Sequence, residues 1–294
     1  MIVTKAKPYI TGVLMVLFGL ALLFPLLVLL VYSMTKGEVL EQILFGMNSR
    51  FADHRLFRWD FDLTFYRQIW MESRKFATAF LNSWLYSVSI TLGQLLIGLP
   101  AAIALSVLKA AGRRWIIPMY MILMMMPFQV TMVPSFLTLH RLDLLDHPLA
   151  IILPQIFNPF FVVLLYLYTI RIPFELFEAA RVDGANTFQL IRHVVLPLIL
   201  HGLWAVGLIV FIDSWNMIEQ PVVFLSSLDR MPLSILIRQA LENSPVLIFV
   251  PAVLFLLPIL ILYGLFHRSI ISGLQMSIAG TRSKAEPHME MVAK

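Results

Sequence analysis

Six stretches of this chain are too long and too apolar to suit a water-soluble fold. They run over roughly 10–33, 79–108, 115–139, 148–170, 197–225 and 246–271. A helix needs about 20 mostly apolar residues to cross a bilayer. The sequence therefore predicts an all-α integral membrane protein with six transmembrane helices. Composition agrees: 60% of the 294 residues are hydrophobic and 13% charged, against about 25% charged in soluble domains. The first run follows Lys5 and Lys7 and stays apolar from Ile10 to Tyr32. That exceeds the roughly 7–15 residues of a signal-peptide core, and no small-residue cleavage site follows, so it reads as a retained anchor. Cysteine is absent, which excludes disulfides, zinc-thiolate sites and a thiol nucleophile.

Six spans put both termini on one side, and basic residues choose the side. With the termini inside, twelve Lys and Arg face the cytoplasm and ten face out, seven of the ten in the single loop 34–76. The short connections are clearer. Lys109, Arg113 and Arg114 crowd one inner turn, while the 140–147 turn holds only Arg141. The expectation is cytoplasmic termini. The chain then divides into an N-terminal segment and first helix (1–33), an extracytoplasmic loop (34–76), a five-helix core (77–271) and a cytoplasmic tail (272–294). The loop mixes acids, bases and aromatics such as Phe57, Trp59 and Trp70. It reads equally as a folded cap, a docking surface or a cover for helix ends.

The most informative interruption is EAARVDGANTFQLIRHVVLP, residues 178–197. On this topology it faces the cytoplasm. Pro173 suits the first turn of a helix, and Phe174–Val182 includes good helix formers. Gly184 can take the left-handed conformation that stops a helix. Asn186 and Thr187 can start the next one, and Pro197 then opens the fifth span. The patch reads as two short amphipathic helices joined by a glycine hinge. Small Ala179 and Ala180 permit close approach, and Glu178, Arg181 and Asp183 offer charges. The residues alone admit an interfacial connector lying on lipid headgroups or a docking element for a partner.

The same residues carry a family resemblance. Glu178-Ala179-Ala180, three residues, Gly184, nine residues, Val194, then Leu196-Pro197 resembles the EAA signature of ABC importer permeases, with Val194 in the place of an isoleucine. Asp183 and Ala185 flank the glycine as in the carbohydrate-importing branch. FPLL at 24–27, FLNS at 80–83, WN at 215–216 and LFHRSIISGL at 265–274 agree with that branch, so the resemblance covers nearly the whole chain. It looks most like the second permease of a maltose-type or glycerol-phosphate importer. His201, Asp213, Met217 and Glu219 depart from the family's usual residues and leave the solute open.

The resemblance implies that segment 172–196 holds a coupling helix seated in a cleft of a cytoplasmic ATPase subunit. Glu178, Ala179, Ala180, Arg181, Asp183, Gly184 and Pro197 would be the ATPase-coupling residues. It implies a heterodimer with a sister permease, two cytoplasmic ATP-binding subunits and an extracytoplasmic solute-binding protein. ATP and magnesium would be held by the partner, and the chain itself would need no cofactor and would not be an enzyme.

Polar residues within the spans are costly unless they face a cavity or partner. Asp213, Asn216 and Gln220 lie at i, i+3 and i+7 and share one face of a continuous helix. They are candidates for a pore or substrate lining, or for a hydrogen-bonded seam to the sister permease. Asn82, Gln129 and Asn158 are further candidates, the last two beside prolines that interrupt spans three and four. Broken spans are common along transport pathways. There is no GxxxxGK[ST] and no HExxH, so nothing in the chain suggests its own nucleotide or zinc site. The basic balance suits an inner membrane leaflet and gives no reason to propose nucleic acid. The alternative is a stand-alone secondary transporter of a small polar solute, which would leave the polar patch without a task.

Overall fold

The computed structural model describes residues 3–37, 39–41, 62–107, 112–243 and 248–268. They are helical, with no strand among the described residues. The chain divides into two units, 1–77 with 235–258, and 78–234 with 259–294.

In the first unit, α1 (Val3–Ser33) is a single apolar helix. It ends where the Ser33 hydroxyl bonds its own Leu30 carbonyl at 2.7 Å and meets the Tyr66 hydroxyl at 2.6 Å. The Tyr32 ring meets the edge of Phe249 at 5.4 Å. Much of the 34–76 loop, including Phe57 and Trp59, lies outside the described residues, as does the tail 272–294.

The second unit carries the bundle. Its helices are α2 (Arg74–Ser106, which begins in the first unit), α3 (Arg113–Met124), α4 (Phe128–Arg141), α5 (Pro148–Ile156), α6 (Pro159–Thr169) and α7 (Phe174–Val182). They continue with α8 (Thr187–Trp215) and α9 (Glu219–Phe224). The amphipathic α10 (Leu233–Asn243) and the apolar α11 (Phe249–Arg268) each contribute residues to both units. Among the described residues, five helical segments are long and apolar enough to cross a membrane, and α3 with α4 make a sixth if their 96° bend counts as one broken span.

The bends follow from proline. Pro127 has no N–H and disfavours helix at the residue before it, so the third apolar run, 115–139, splits at Met125–Pro127, an interruption its prolines lead one to expect. Pro159 splits the fourth in the same way, and Asn158 caps the new helix by accepting the Phe160 N–H at 2.9 Å.

The fifth span differs more from expectation. Its helix does not open at Pro197 or reach 225. It starts at Thr187, passes through a wide turn at Ile191–Val195 and ends at Trp215. The wide turn is a consequence of Pro197. Without an N–H there the regular ladder is broken, and the Leu196 N–H reaches back five residues to Ile191, as in a π-bulge.

The core lies between α2, α5, α6 and α8. Tyr86, Ile90, Phe161, Leu165 and Val206 are almost fully buried. At the end where α2 begins, Phe80, Trp84, Phe211 and Trp215 form an edge-and-stack cluster with ring centroids 5.5–5.7 Å apart.

Candidate functional site

The polar patch folds as a tight helical hairpin. Pro173 caps α7 one residue before its first turn. At its far end the Gly184 N–H bonds Arg181 O at 3.0 Å and the Ala185 N–H bonds Ala180 O at 2.9 Å. This paired 5→2 and 6→1 closure needs a left-handed residue between helix and loop, and Gly184 supplies it with φ +81°. Asn186 starts α8 two residues later. Its side chain accepts the Gln189 N–H and the Gln189 side chain accepts the Asn186 N–H, both at 2.9 Å. This reciprocal capping box satisfies two otherwise orphaned donors.

The hairpin is anchored on the last turns of α2. Phe177, Leu190, Val195 and Ile199 form one buried cluster with Ile103 and Val107. Leu190, Val195 and Ile199 are spaced five and four apart. In a regular helix the first two would point about 140° apart, and the wide turn brings them to one face. The apolar residues of the patch do not all turn inward, however. Val182 is 87% exposed and Phe188 69%, one on each side of the glycine turn. Glu178, Ala179, Arg181 and Asp183 are also exposed and Ala180 is half-buried. Among the described residues, Glu178, Arg181 and Asp183 make no side-chain hydrogen bond or ion pair. The hairpin thus presents a charged rim around two bare apolar side chains, and these two were not separable from the core residues by sequence alone. Pro197 lies inside α8, beyond the wide turn, and shapes the hairpin without belonging to its tip.

The intramembrane candidates separate into two groups. Asn82 donates to the carbonyls of Asp229 at 2.8 Å and Met231 at 3.2 Å. Asn158 is occupied in capping α6, and the Asn216 amide donates to Ile212 O of its own helix at 2.7 Å. Asp213 is exposed on the last turn of α8. The common face of Asp213, Asn216 and Gln220 does not exist, because α8 ends at Trp215 and Gln220 sits in α9. One pair was not foreseen: Gln129, in the first turn of α4, donates to Glu219, the first residue of α9, at 3.0 Å. It joins two interrupted spans at their breaks. The hollow between α2, α8 and α11, about 170 Å³, is lined by apolar side chains such as Leu95, Leu203, Trp204, Phe211 and Phe266. Its Thr91 hydroxyl is already bonded to Ser87 O at 2.7 Å, so the hollow offers nothing to a polar solute.

A second polar cluster ties the segment after α9 to the rest of the unit. Asp146, with φ 54°, accepts the Ser226 N–H at 3.0 Å and the Ser227 N–H at 2.9 Å on Oδ1. Its Oδ2 accepts the Ser227 hydroxyl at 2.5 Å and lies 3.1 Å from Arg230 Nη1. These bonds, the Ser227 hydroxyl first, hold the Asp146 carboxyl down at about 2. Tyr86 donates to Arg230 O at 2.7 Å, and the Ser83 hydroxyl accepts the Leu233 N–H at 2.8 Å.

Broken apolar helices around a packed core, with a polar hairpin leading into α8, define a polytopic helical membrane fold. The backbone superposes on a chain of a bacterial ABC transporter involved in the import of the acidic polysaccharide alginate, with a TM-score of 0.74 and 24% identity over 90% of this chain and 97% of that one. A chain of the MetNI methionine ABC transporter, in an inward-facing form, matches with a TM-score of 0.55 and 18% identity over 67% of this chain and 95% of its own.

Residues 94–274 match the family of binding-protein-dependent transport system inner membrane components, and the chain belongs to that family. It is a multi-pass membrane protein. Among curated relatives, it is 32% identical to the arabinooligosaccharides transport system permease protein AraQ of Halalkalibacterium halodurans over 53% of this chain and 56% of that one. It is 29% identical to the sn-glycerol-3-phosphate transport system permease protein UgpE of Pectobacterium atrosepticum over 53% and 58%. It is 31% identical to the diacetylchitobiose uptake system permease protein DasC of Streptomyces coelicolor over 52% and 55%. The chain spans about half the length of the curated relatives it matches.

Proposed function

We propose that this chain is the transmembrane permease subunit of a binding-protein-dependent ABC importer for a sugar, oligosaccharide or glycerol-phosphate-like solute. Six spans cross the inner membrane with both termini in the cytoplasm. The α7–α8 hairpin docks in a cleft of a cytoplasmic ATPase subunit, and a sister permease completes the pathway. Two ATPase subunits bind ATP and magnesium, and an external binding protein delivers the solute. The observation that carries this reading is the hairpin tip. Among the described residues, Glu178, Arg181 and Asp183 stand unpaired around exposed Val182 and Phe188, at the spacing of the EAA signature. A lipid-facing connector would gain nothing from so rigid a double cap.

The hairpin rests on α2 and runs directly into α8, so rigid-body closure of the ATPase pair would move both. Solute would pass the breaks where Gln129 meets Glu219, with Asp213, Asn216 and Gln220 nearby in sequence and Asn82 and Asn158 holding the surrounding backbone. The three relatives named above carry sugars or glycerol phosphate by name, which supports the solute class.

Co-purification tests the reading. The chain is expressed with a sister permease and an ATPase subunit, then again with Glu178→Arg and Gly184→Val. Capture of the ATPase by the wild type, and its loss or loss of stimulated hydrolysis in both variants, is the expected result. A wild type that never captures an ATPase, with both variants normal in transport, would assign the hairpin to the lipid and favour a stand-alone transporter.

A further inference from the structure

One buried polar side chain has no task in the docking hairpin or along the proposed pathway. Gln94, on α2, is 3% exposed. Its Nε2 donates to Gln155 O at 2.7 Å, while its Oε1 has no hydrogen-bond partner among the described residues. The explanation lies in the broken fourth span. In an unbroken helix Gln155 O would accept the N–H of residue 159, and residue 159 is proline. Asn158 is extended, with ψ 120°, and its own N–H reaches Gln155 O only at 3.3 Å. The Gln94 amide therefore supplies the donor that the break removes. Turning the amide over would satisfy Oε1 no better and would aim it at the carbonyl. The close fit is enforced next door, where a Cβ on Gly93 would stand 2.6 Å from Ile156 Cδ1.

Both halves pack on α2, α5 at Gly93 and α6 at Gly98, but their other attachments differ. α6 packs against α3 and α8. It continues toward the docking hairpin through successive turns, with Ile170 N–H to Tyr166 O at 2.9 Å and Ile172 N–H to Thr169 O at 3.3 Å. α5 packs instead against α9, beside the Asp146 cluster. We infer that the break at Phe157–Asn158 is a hinge between the hairpin-linked and α9-linked halves of the permease, and that Gln94 is the positioning residue that sets its resting angle. A side-chain bond suits this role. It can be broken and remade without unwinding either helix, whereas a ladder bond cannot. The inference rests on the reading of the hairpin as the ATPase dock.

The test uses the assembled transporter in lipid nanodiscs, with partner subunits freed of cysteine. Spin labels are placed at Leu153→Cys and Leu167→Cys, both exposed, on either side of the break. Their separation is measured by pulsed EPR without nucleotide and with trapped ATP, in otherwise wild-type protein and with Gln94→Met, an apolar side chain of similar length. The separation is expected to shift with nucleotide in the wild type. In Gln94→Met it is expected to broaden at rest, and solute moved per ATP to fall roughly two- to tenfold, the range one side-chain hydrogen bond supports. A residue that merely packs would leave the distribution and the transport-to-ATP ratio unchanged. The hinge is overturned if the separation is the same in both nucleotide states while the complex still shows binding-protein-stimulated hydrolysis. Absence of any stimulated hydrolysis in the wild type would instead overturn the docking reading on which the hinge depends.

Discussion

Two residues hold backbone that few others could. Gly184 sits at φ +81° with none of the described residues near where a Cβ would be, so the barrier to substitution is conformational and not steric crowding. An L-residue in the left-handed region costs about 1–2 kcal/mol, with Asn cheaper than most. Gly184→Asn is expected to retain ATPase capture, and Gly184→Ala to lower thermal stability of the purified chain by about that amount. Equal melting of the two variants would show that the left-handed turn is not what the glycine supplies. Asp146 makes a pH prediction. Its carboxyl titrates in the folded chain at about 2, below the ordinary value of 3.8, chiefly through the Ser227 hydroxyl and the Ser226 and Ser227 amides. A depressed acid stabilises the fold fully above its unfolded value and loses that contribution as pH falls through the folded one. The protection of the Ser226 and Ser227 amides, measured as exchange relative to the intrinsic rate at each pH, should therefore hold from neutral pH down to about 4 and fall between about 4 and 2. Asp146→Asn should exchange faster throughout and lack that step, because one carboxylate oxygen becomes an amide that cannot accept from Ser227 or Arg230.

At the scale of elements, the same substitution is expected to act with opposite sign on two helices. Replacing glycine by alanine inside a helix gains up to about 1 kcal/mol of propensity. At Gly264 on α11 nothing among the described residues lies within 4 Å of the new methyl group, so Gly264→Ala should be neutral or stabilising. At Gly202 on α8 the methyl would stand 2.5–2.9 Å from the Tyr168 ring of α6. Overpacking typically costs about 1–3 kcal/mol, which exceeds the propensity gain, so Gly202→Ala should lower the melting temperature. A thermal shift of the same sign in both would sink this account of the α6–α8 contact. Much of this layer was legible beforehand. The apolar runs gave the spans, Gly184 and Asn186 marked the hairpin turn, and the prolines marked the breaks. What stayed hidden depends on register. Pro197 looked like the start of a span because proline favours first turns, yet here it lies within a longer helix whose wide turn absorbs it. That turn hides the Leu190, Val195 and Ile199 face from any 3.6-residue count. Asn82 and Asn158 looked like pathway residues because buried polar groups are rare in spans. Their partners are main-chain groups 147 residues away or two residues away, and only the fold tells those cases apart. Gln129 and Glu219 carried no shared signal at a separation of 90 residues.

The whole molecule makes its sharpest prediction about sidedness. The basic residues argue for cytoplasmic termini only weakly, because seven of the outward ten sit in one loop. The fold supplies better reporters. Val182, at the hairpin tip, and Leu228, in the segment clasped by Asp146, are both well exposed, at 87% and 66%. They flank α8, one before its first residue and one after its last, so a membrane-crossing α8 must put them on opposite sides. The chain has no cysteine, and a single introduced thiol is therefore an unambiguous reporter. With a membrane-impermeant maleimide, Leu228→Cys should be labelled in right-side-out vesicles and Val182→Cys only in inverted ones. Adding the ATPase subunit to the inverted vesicles should then protect Val182→Cys, because docking covers the tip. Labelling of both from one side would mean that α8 does not span. The reverse pattern would invert the topology and place the hairpin where no cytoplasmic ATPase could reach it. Correct sidedness without protection would leave the spans as described and remove the hairpin from the ATPase interface.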